Sequence, residues 1–320
     1  MLFPALFLFV SLNAMAFMQA WSLTHYVRGD EHTKQVERFT SWDKVHTVVS
    51  GPTVMRMRNV YTPERYGLTY ETVQFPGYQG IQLSAWRIAG DKGAAAVLLF
   101  HGFGASKDTL LRAATEFHAL GCETWLVDFH GSGDSLGTTN SVGYHEAEDV
   151  RAAVQFASSP QYGTRPIVLY GTSMGAASIL CAAHRGLVNP DAMILECPFD
   201  RLVTTVGNRC GLLGIPAFPM ADLLVFWSSV QSGFNGFEHN PVEYAHSVRC
   251  PTLLFQGERD QMVGLAHGKA IAAALGTHGT FKVFPGLGHA FLVHDGEPEW
   301  RDSVRSFLSS NKILSSAQTQ

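Results

Sequence analysis

The sequence predicts an α/β domain, with a mostly parallel central sheet, helices on both faces and an inserted helical cap. Three observations carry this reading. After Gly90, short continuous apolar runs alternate with amphipathic stretches, as expected of strands buried on both faces and the helices that cover them. The stretch from Phe199 to Asn240 breaks that alternation: it is apolar and aromatic, with Phe218, Phe226, Trp227, Phe234 and Phe237, and has no strand-like period. With 320 residues, 46% of them apolar, the chain can bury the core that such a sheet needs.

Taken in order, residues 1–27 read as a membrane anchor or signal segment. No Lys, Arg, Asp or Glu occurs before Arg28, and residues 1–23, if helical, span about 30 Å of hydrocarbon. Ala14-Met15-Ala16 has the small-x-small form of a cleavage site, but there is no basic n-region and the segment stays apolar through Trp21. A retained anchor is therefore favoured over a signal cleaved near Ala16, and a segment folded onto the domain is the third reading. Residues 28–69 are polar and mixed in charge, interrupted by Pro52 and Pro63, and read as a linker.

The core is expected over 70–198 and 249–312, with the cap at 199–248 and a polar tail at 313–320. Tyr70–Phe75 and Ile81–Arg87 flank the turn-rich Pro76-Gly77-Tyr78-Gln79-Gly80 and predict an antiparallel hairpin. Further strands are expected at Ala94–Phe100, Glu123–Val127, Ile167–Tyr170, Ala192–Leu195, Thr252–Gln256 and Phe281–Phe284. Leu110, Leu111, Ala114, Phe117 and Leu120 recur at helical spacing between Ser106 and Gly121, which can cap the two ends. Helices are also expected at His145–Ser158, Met174–His184, Leu265–Leu275 and Glu299–Asn311.

Charge and cysteine content exclude other classes. With 23 basic and 27 acidic residues the net charge is −4, so there is no cationic excess to track a phosphate backbone, and nucleic acid is not an expected partner. The five cysteines show no C-x-x-C spacing and read as small buried side chains. Only Cys197, at the end of a predicted strand, is placed near a pocket. No His, Cys or Asp cluster has metal-ligand spacing, and neither a metal nor an organic cofactor is implied.

The chemistry is carried by glycine-rich turns at strand ends. Gly171-Thr172-Ser173-Met174-Gly175 matches G-x-S-x-G. In a chain with 31 glycines the pentapeptide alone is weak, but it falls where a predicted strand meets a predicted helix, and there it marks Ser173 as a nucleophile. His101-Gly102-Phe103-Gly104 follows the first central strand, the position that supplies an oxyanion hole in such an architecture. The expected donors are the backbone N–H groups of Phe103 and Met174. His101 itself reads as a structural hydrogen-bonder.

Asp260, in the turn after Thr252–Gln256, is the expected carboxylate; Glu196 and Asp200, after an earlier strand, are its rivals, and Glu258 is expected to point elsewhere. His289, on the glycine-bearing loop after the last strand, is the expected base, with His294, His267 and His145 as competitors on or beside predicted helices.

The segments HGFGAS, DFHGSGDS, GTSMG, GERDQMV and GLGHAF together resemble the α/β-hydrolase superfamily, particularly the serine aminopeptidase-like and esterase-like bacterial hydrolases. The resemblance covers about three quarters of the chain, from Tyr70 to Asn311. It implies Ser173, Asp260 and His289 as a triad, Phe103 and Met174 as oxyanion donors, and a mainly structural role for the loop Asp128–Ser135. A serine at the elbow disfavours the branches that use an aspartate nucleophile there.

The function expected is cleavage of a small-molecule acyl substrate, a carboxylic ester or thioester, through an acyl-enzyme. One alternative is a peptidase or amidase of the same fold, for which Glu238 and Asp222 are the cap carboxylates available to hold a substrate ammonium. The other is a non-catalytic binding protein that retains the fold. Membrane association through residues 1–23 is expected; oligomeric state, acyl length and membrane side are not legible.

Overall fold

The computed structural model describes residues 2–27, 42, 49–289 and 292–314. Residues 28–41 and 43–48 of the expected linker, the tail beyond Leu314, and Ala290 and Phe291 of the GLGHAF segment lie outside the described residues. The chain forms two compact units, one made of Met1–Arg56, Thr138–Ser141 and Arg201–Asn240, the other of Met57–Gly137, Val142–Asp200 and Pro241–Gln320.

The larger unit is built on an eight-stranded sheet. Its strands are β1 (Glu71–Pro76), β2 (Gln82–Ile88), β3 (Ala96–Phe100), β4 (Glu123–Asp128), β5 (Ile167–Thr172), β6 (Ala192–Glu196), β7 (Thr252–Gly257) and β8 (Gly279–Phe284). They run in the order β1-β2-β4-β3-β5-β6-β7-β8. The β1–β2 and β2–β4 pairs are antiparallel and every other pair is parallel. The predicted strands are therefore all present, with ends displaced by one or two residues. Gly171 and Thr172, which read as turn residues, still pair with Leu195 and Glu196 and carry β5 to the residue before Ser173.

Alternation along the strands divides the core in two. Leu98, Phe100, Leu169, Leu195 and Leu254 face a cluster that includes Val150, Ile179, Leu180 and Ile271. These come from α3 (Glu146–Ala157), α4 (Met174–His184) and α8 (Leu265–Leu275). Val97, Leu99, Val168, Ile194 and Phe255 face the opposite cluster, with Phe117, Trp300 and Val304. Those side chains belong to α2 (Leu111–Ala119) and α10 (Glu297–Ser310), the latter following the short α9 (Leu292–Asp295). The small-residue sequence of α4 lets it lie close beneath the sheet, and nine of its eleven residues are buried. Between the hairpin turn and α3, His130 is buried with its Nδ1 2.6 Å from Asp149 Oδ2 and its Nε2 3.6 Å from Glu146 Oε1.

The smaller unit is helical. Leu2–Thr24 forms α1, and the segment read as a cap forms α5 (Leu202–Leu212) and α6 (Ala217–Ser232). Pro241–Val248, which the sequence assigns to the cap, belongs instead to the larger unit; it contains α7 (Pro241–Ala245) and contributes Tyr244, Ala245 and Val248 to the core. Ala16 and Ala20 of α1 are fully buried in a cluster with Met220 and Leu224 of α6. The Trp227 indole N–H donates to Asn13 Oδ1 at 3.2 Å, and Phe17 meets the Trp227 ring edge-on. The α1 helix is long and apolar enough to cross a membrane over Phe3–Thr24. Its first turns, from Phe3 to Val10, are exposed.

Burial disfavours a charged His130, but the Asp149 and Glu146 carboxylates outweigh it and push the imidazole up to about 9. A histidine raised on folding contributes stability that is complete below its unfolded value and is lost as pH rises through the folded one. The melting temperature is therefore expected to fall between pH 7 and about 9.5. In His130→Gln it is expected to be lower at pH 7 and flatter over the same range. Thermal unfolding followed by circular dichroism at several pH values checks this.

Candidate active site

Each loop with a candidate residue leaves the C-terminal end of a strand of the parallel sheet, the edge at which open α/β sheets bind ligands. Ser173 stands between β5 and α4 with φ 51° and ψ −113°. That conformation costs a residue with a side chain about 1–3 kcal/mol and persists only where its surroundings enforce it. Here they do. A Cβ on Gly171 would lie 2.6 Å from the Gly175 carbonyl carbon, and one on Gly175 would lie 2.3 Å from the Phe100 carbonyl oxygen. Only glycine admits so close an approach of strand and helix. The Ser173 N–H donates to the Glu196 carbonyl at 2.7 Å, and its own carbonyl accepts from Ala177 N at 3.0 Å as the first bond of the helix.

The loop after β3 lies against this turn. A Cβ on Gly102 would be 3.4 Å from that of Ser173. Phe103 and Met174 are thus the residues that follow the two that touch. Met174 opens α4, where an N–H has no partner within the helix and faces the positive end of its dipole. His101 is fully buried; its Nε2 accepts from Phe129 N at 3.2 Å, so its Nδ1 carries the proton and donates to the Gly102 carbonyl at 2.8 Å. Burial lowers the pKa of this ring. It is a neutral tie between two loops, as the sequence reading expected.

Asp260 and His289 meet because the loops after β7 and β8 run together. A Cβ on Gly257 would lie 2.3 Å from the Gly288 carbonyl oxygen, and Arg259 N donates to Leu287 O at 2.8 Å. Asp260 Oδ1 accepts from the N–H groups of Met262 and Val263 at 2.9 and 2.8 Å, which fixes the carboxylate. Its Oδ2 accepts from His289 Nδ1 at 2.6 Å and from Gln256 Nε2 at 3.1 Å. His289 Nε2 stands 3.0 Å from Ser173 Oγ. With a carboxylate on Nδ1, the imidazole proton resides there and Nε2 is left as the acceptor that faces the hydroxyl.

The rivals are occupied elsewhere. Asp200 pairs with His267 at 2.5 Å, and Glu258 accepts from Gly286 N at 2.9 Å. His145 stacks on Tyr78, while His294 is exposed. Glu196 turns its carboxyl into the core, where the Trp300 indole N–H donates to it. Burial pushes that carboxyl up to about 7, against the pull of the Trp300, Tyr170 and Leu292 donors.

Two family models match the chain. A model described as serine aminopeptidase, S33, matches residues 91–230, and the dienelactone hydrolase family model matches residues 206–312. The chain is an α/β hydrolase. An uncharacterized protein of Mycobacterium tuberculosis is 28% identical over 247 residues, which is 73% of this chain and 78% of that one. An uncharacterized membrane protein of Saccharomyces cerevisiae is 27% identical over 143 residues, 44% of this chain and 50% of its own. Among solved structures, an esterase of Pyrococcus furiosus superposes with a TM-score of 0.67 at 21% identity, covering 80% of this chain and 96% of that one.

Two features of this hydrolase escaped the sequence reading. Lys107, six residues after His101, is fully buried; its Nζ lies 2.6 Å from Asp128 Oδ2 and 2.7 Å from Asp134 Oδ2, and it binds the loop after β3 to the loop after β4. A Cβ on Gly133 would strike the Asp128 carboxylate, so the GSGD turn can close only with glycine there. The signal available was a basic residue in HGFGASK set against two aspartates in DFHGSGD. Cys197, one residue past β6, has φ 47°, donates its N–H to Phe255 O at 2.9 Å, and lies beside Asp260 and His289. Placing it near a pocket was possible from sequence; bringing it to this pair was not, because three separate loops are needed.

A carboxyl raised on folding holds a proton that the unfolded chain has released. Glu196 therefore costs stability as pH rises from the ordinary carboxylate range to about 7, and the full cost is present above that. Glu196→Gln keeps the shape without the charge. It is expected to be more stable than the parent at pH 8 by on the order of 1–3 kcal/mol, with the gain vanishing near pH 4. Urea unfolding at the two pH values measures the difference.

Proposed function

We propose that this α/β hydrolase cleaves a carboxylic ester or thioester with Ser173 as nucleophile, His289 as general base and acid, and Asp260 as the carboxylate that orients the imidazole. The observation that carries the reading is the continuous relay from Ser173 Oγ to His289 Nε2 at 3.0 Å and from His289 Nδ1 to Asp260 Oδ2 at 2.6 Å. As Oγ attacks the acyl carbon, its proton passes to Nε2, and Asp260 stabilises the imidazolium that forms. The carbonyl oxygen, now negative, is received by the N–H groups of Phe103 and Met174. His289 returns the proton to the leaving oxygen or sulfur, and water releases the acyl group by the same steps.

The charge around the relay favours an uncharged acyl substrate over a peptide. Asp260 is engaged by His289 and Gln256, and Glu196 by Trp300 in the core, so neither holds a substrate ammonium. The same proposal attaches the protein to a membrane through α1. It is supported by the span Phe3–Thr24, by the lack of any charged residue before Arg28 and by the yeast membrane protein among the relatives.

Two measurements test this. Ser173→Ala is expected to lose about a thousandfold or more of the hydrolysis of p-nitrophenyl acyl esters and to lose labelling by a fluorophosphonate. Undiminished turnover in that variant overturns the assignment. The full chain is expected to stay in the membrane pellet through alkaline carbonate washing; release into the supernatant would refute the attachment.

A further inference from the structure

We propose that Cys197, Asp260 and His289 together form a binding site for a thiophilic divalent cation of the Zn²⁺ class, and that its occupation switches the hydrolase off. The Cys197 thiol sulfur, a carboxylate oxygen of Asp260 and a ring nitrogen of His289 all lie within 4.8 Å of one another. They come from three loops, after β6, β7 and β8, which explains why no ligand spacing marks them in the sequence. In a tetrahedral zinc site, with Zn–S near 2.3 Å and Zn–N and Zn–O near 2.0–2.1 Å, ligand atoms stand roughly 3.3–3.6 Å apart. Reaching that arrangement takes movements of about 1 Å: the sulfur closes in, and the His289–Asp260 pair, now at 2.6 Å, opens.

The donor set selects the ion. One thiolate, one imidazole and one carboxylate suit Zn²⁺, whereas Mg²⁺ and Ca²⁺ require oxygen ligands. A buried cysteine is more often a small apolar side chain, but this one is held at φ 47° with its sulfur against two other ligand groups. The His289 side chain is 17% exposed and gives the ion a route in.

Occupation and chemistry exclude each other. The ion takes Nδ1 of His289, the nitrogen turned to Asp260, and displaces the hydrogen bond between them. The imidazole proton moves to Nε2, and the Cys197 thiol releases its proton to solvent. A protonated Nε2 cannot accept the proton of Ser173 Oγ. Inhibition rests on the reading of the relay given above, while binding does not.

The test separates the two. Full-length Ser173→Ala protein titrated with Co²⁺ is expected to develop a thiolate-to-cobalt charge-transfer band that saturates at one equivalent and is displaced by Zn²⁺. The band is expected to vanish when Cys197→Ser or Cys197→Ala is added and to persist when Cys250→Ser is added. With Ser173 present, Zn²⁺ is expected to suppress ester hydrolysis and EDTA to restore it. Cys197→Ser, scaled to its own uninhibited rate, should be at least about tenfold less sensitive. Absence of the band in Ser173→Ala, or its survival without Cys197, overturns the proposal. A band in a protein that hydrolyses no ester upholds the metal site and refutes the proposed ester cleavage instead.

Discussion

A side chain on Gly175 would drive its Cβ to 2.3 Å from the Phe100 carbonyl, and that steric limit governs the rest of the larger unit. It lets α4 start directly under the end of β3, so the chain must reverse within one residue after β5. Ser173 is that residue, which is why it holds a left-handed backbone that serine would otherwise avoid. The same reversal sets its N–H on the Glu196 carbonyl and brings the Gly102 turn against its side chain. Ser173, the candidate oxyanion donors and the end of β6 thus meet at this one contact.

The partners arrive by a similar rule on the other side of β6. The Gly257 position admits the Gly288 carbonyl at a distance that no other residue would tolerate, and the loops after β7 and β8 are zipped by Arg259 N to Leu287 O. Asp260 is then held by two backbone amides, which turn its other carboxylate oxygen toward His289. Positioning of this kind pre-organises a reacting group before any substrate is bound.

How far the sequence could be read follows from these contacts. Ser173, Asp260 and His289 were legible because each sits where a strand pattern gives way to a glycine-rich turn, and the strand order of such folds brings those turns to one edge. Strand ends were less so: Gly171 and Thr172 look like turn residues yet continue the ladder with β6. The packing of α1 was not legible. Its sequence is apolar on all sides, so nothing in it marks Ala16 and Ala20 as the face that meets Met220 and Leu224. Nor could the sequence say that Pro241–Val248 leaves the helical insertion for the core, since Tyr244 and Val248 are as apolar as the cap residues before them.

Polar groups buried at the sheet edge close the account. The apolar clusters give the sheet its stability, but they are indifferent to where a loop above them points. Lys107 with Asp128, and His130 with Asp149 and Glu146, each take charges out of water, and such pairs add little net stability compared with apolar replacements. What they do is geometric. Lys107 ties the loop of His101–Gly104 to the turn after β4, and His101 adds a second tie through Phe129 N. A Lys107 side chain parted from both Asp128 and Asp134 would be an unpaired buried cation, so alternative placements of the loop are strongly disfavoured. The turn that meets Ser173 is held by buried electrostatics, while the serine itself is held by sterics; the site needs both, because either constraint alone would leave one of its two halves free to move.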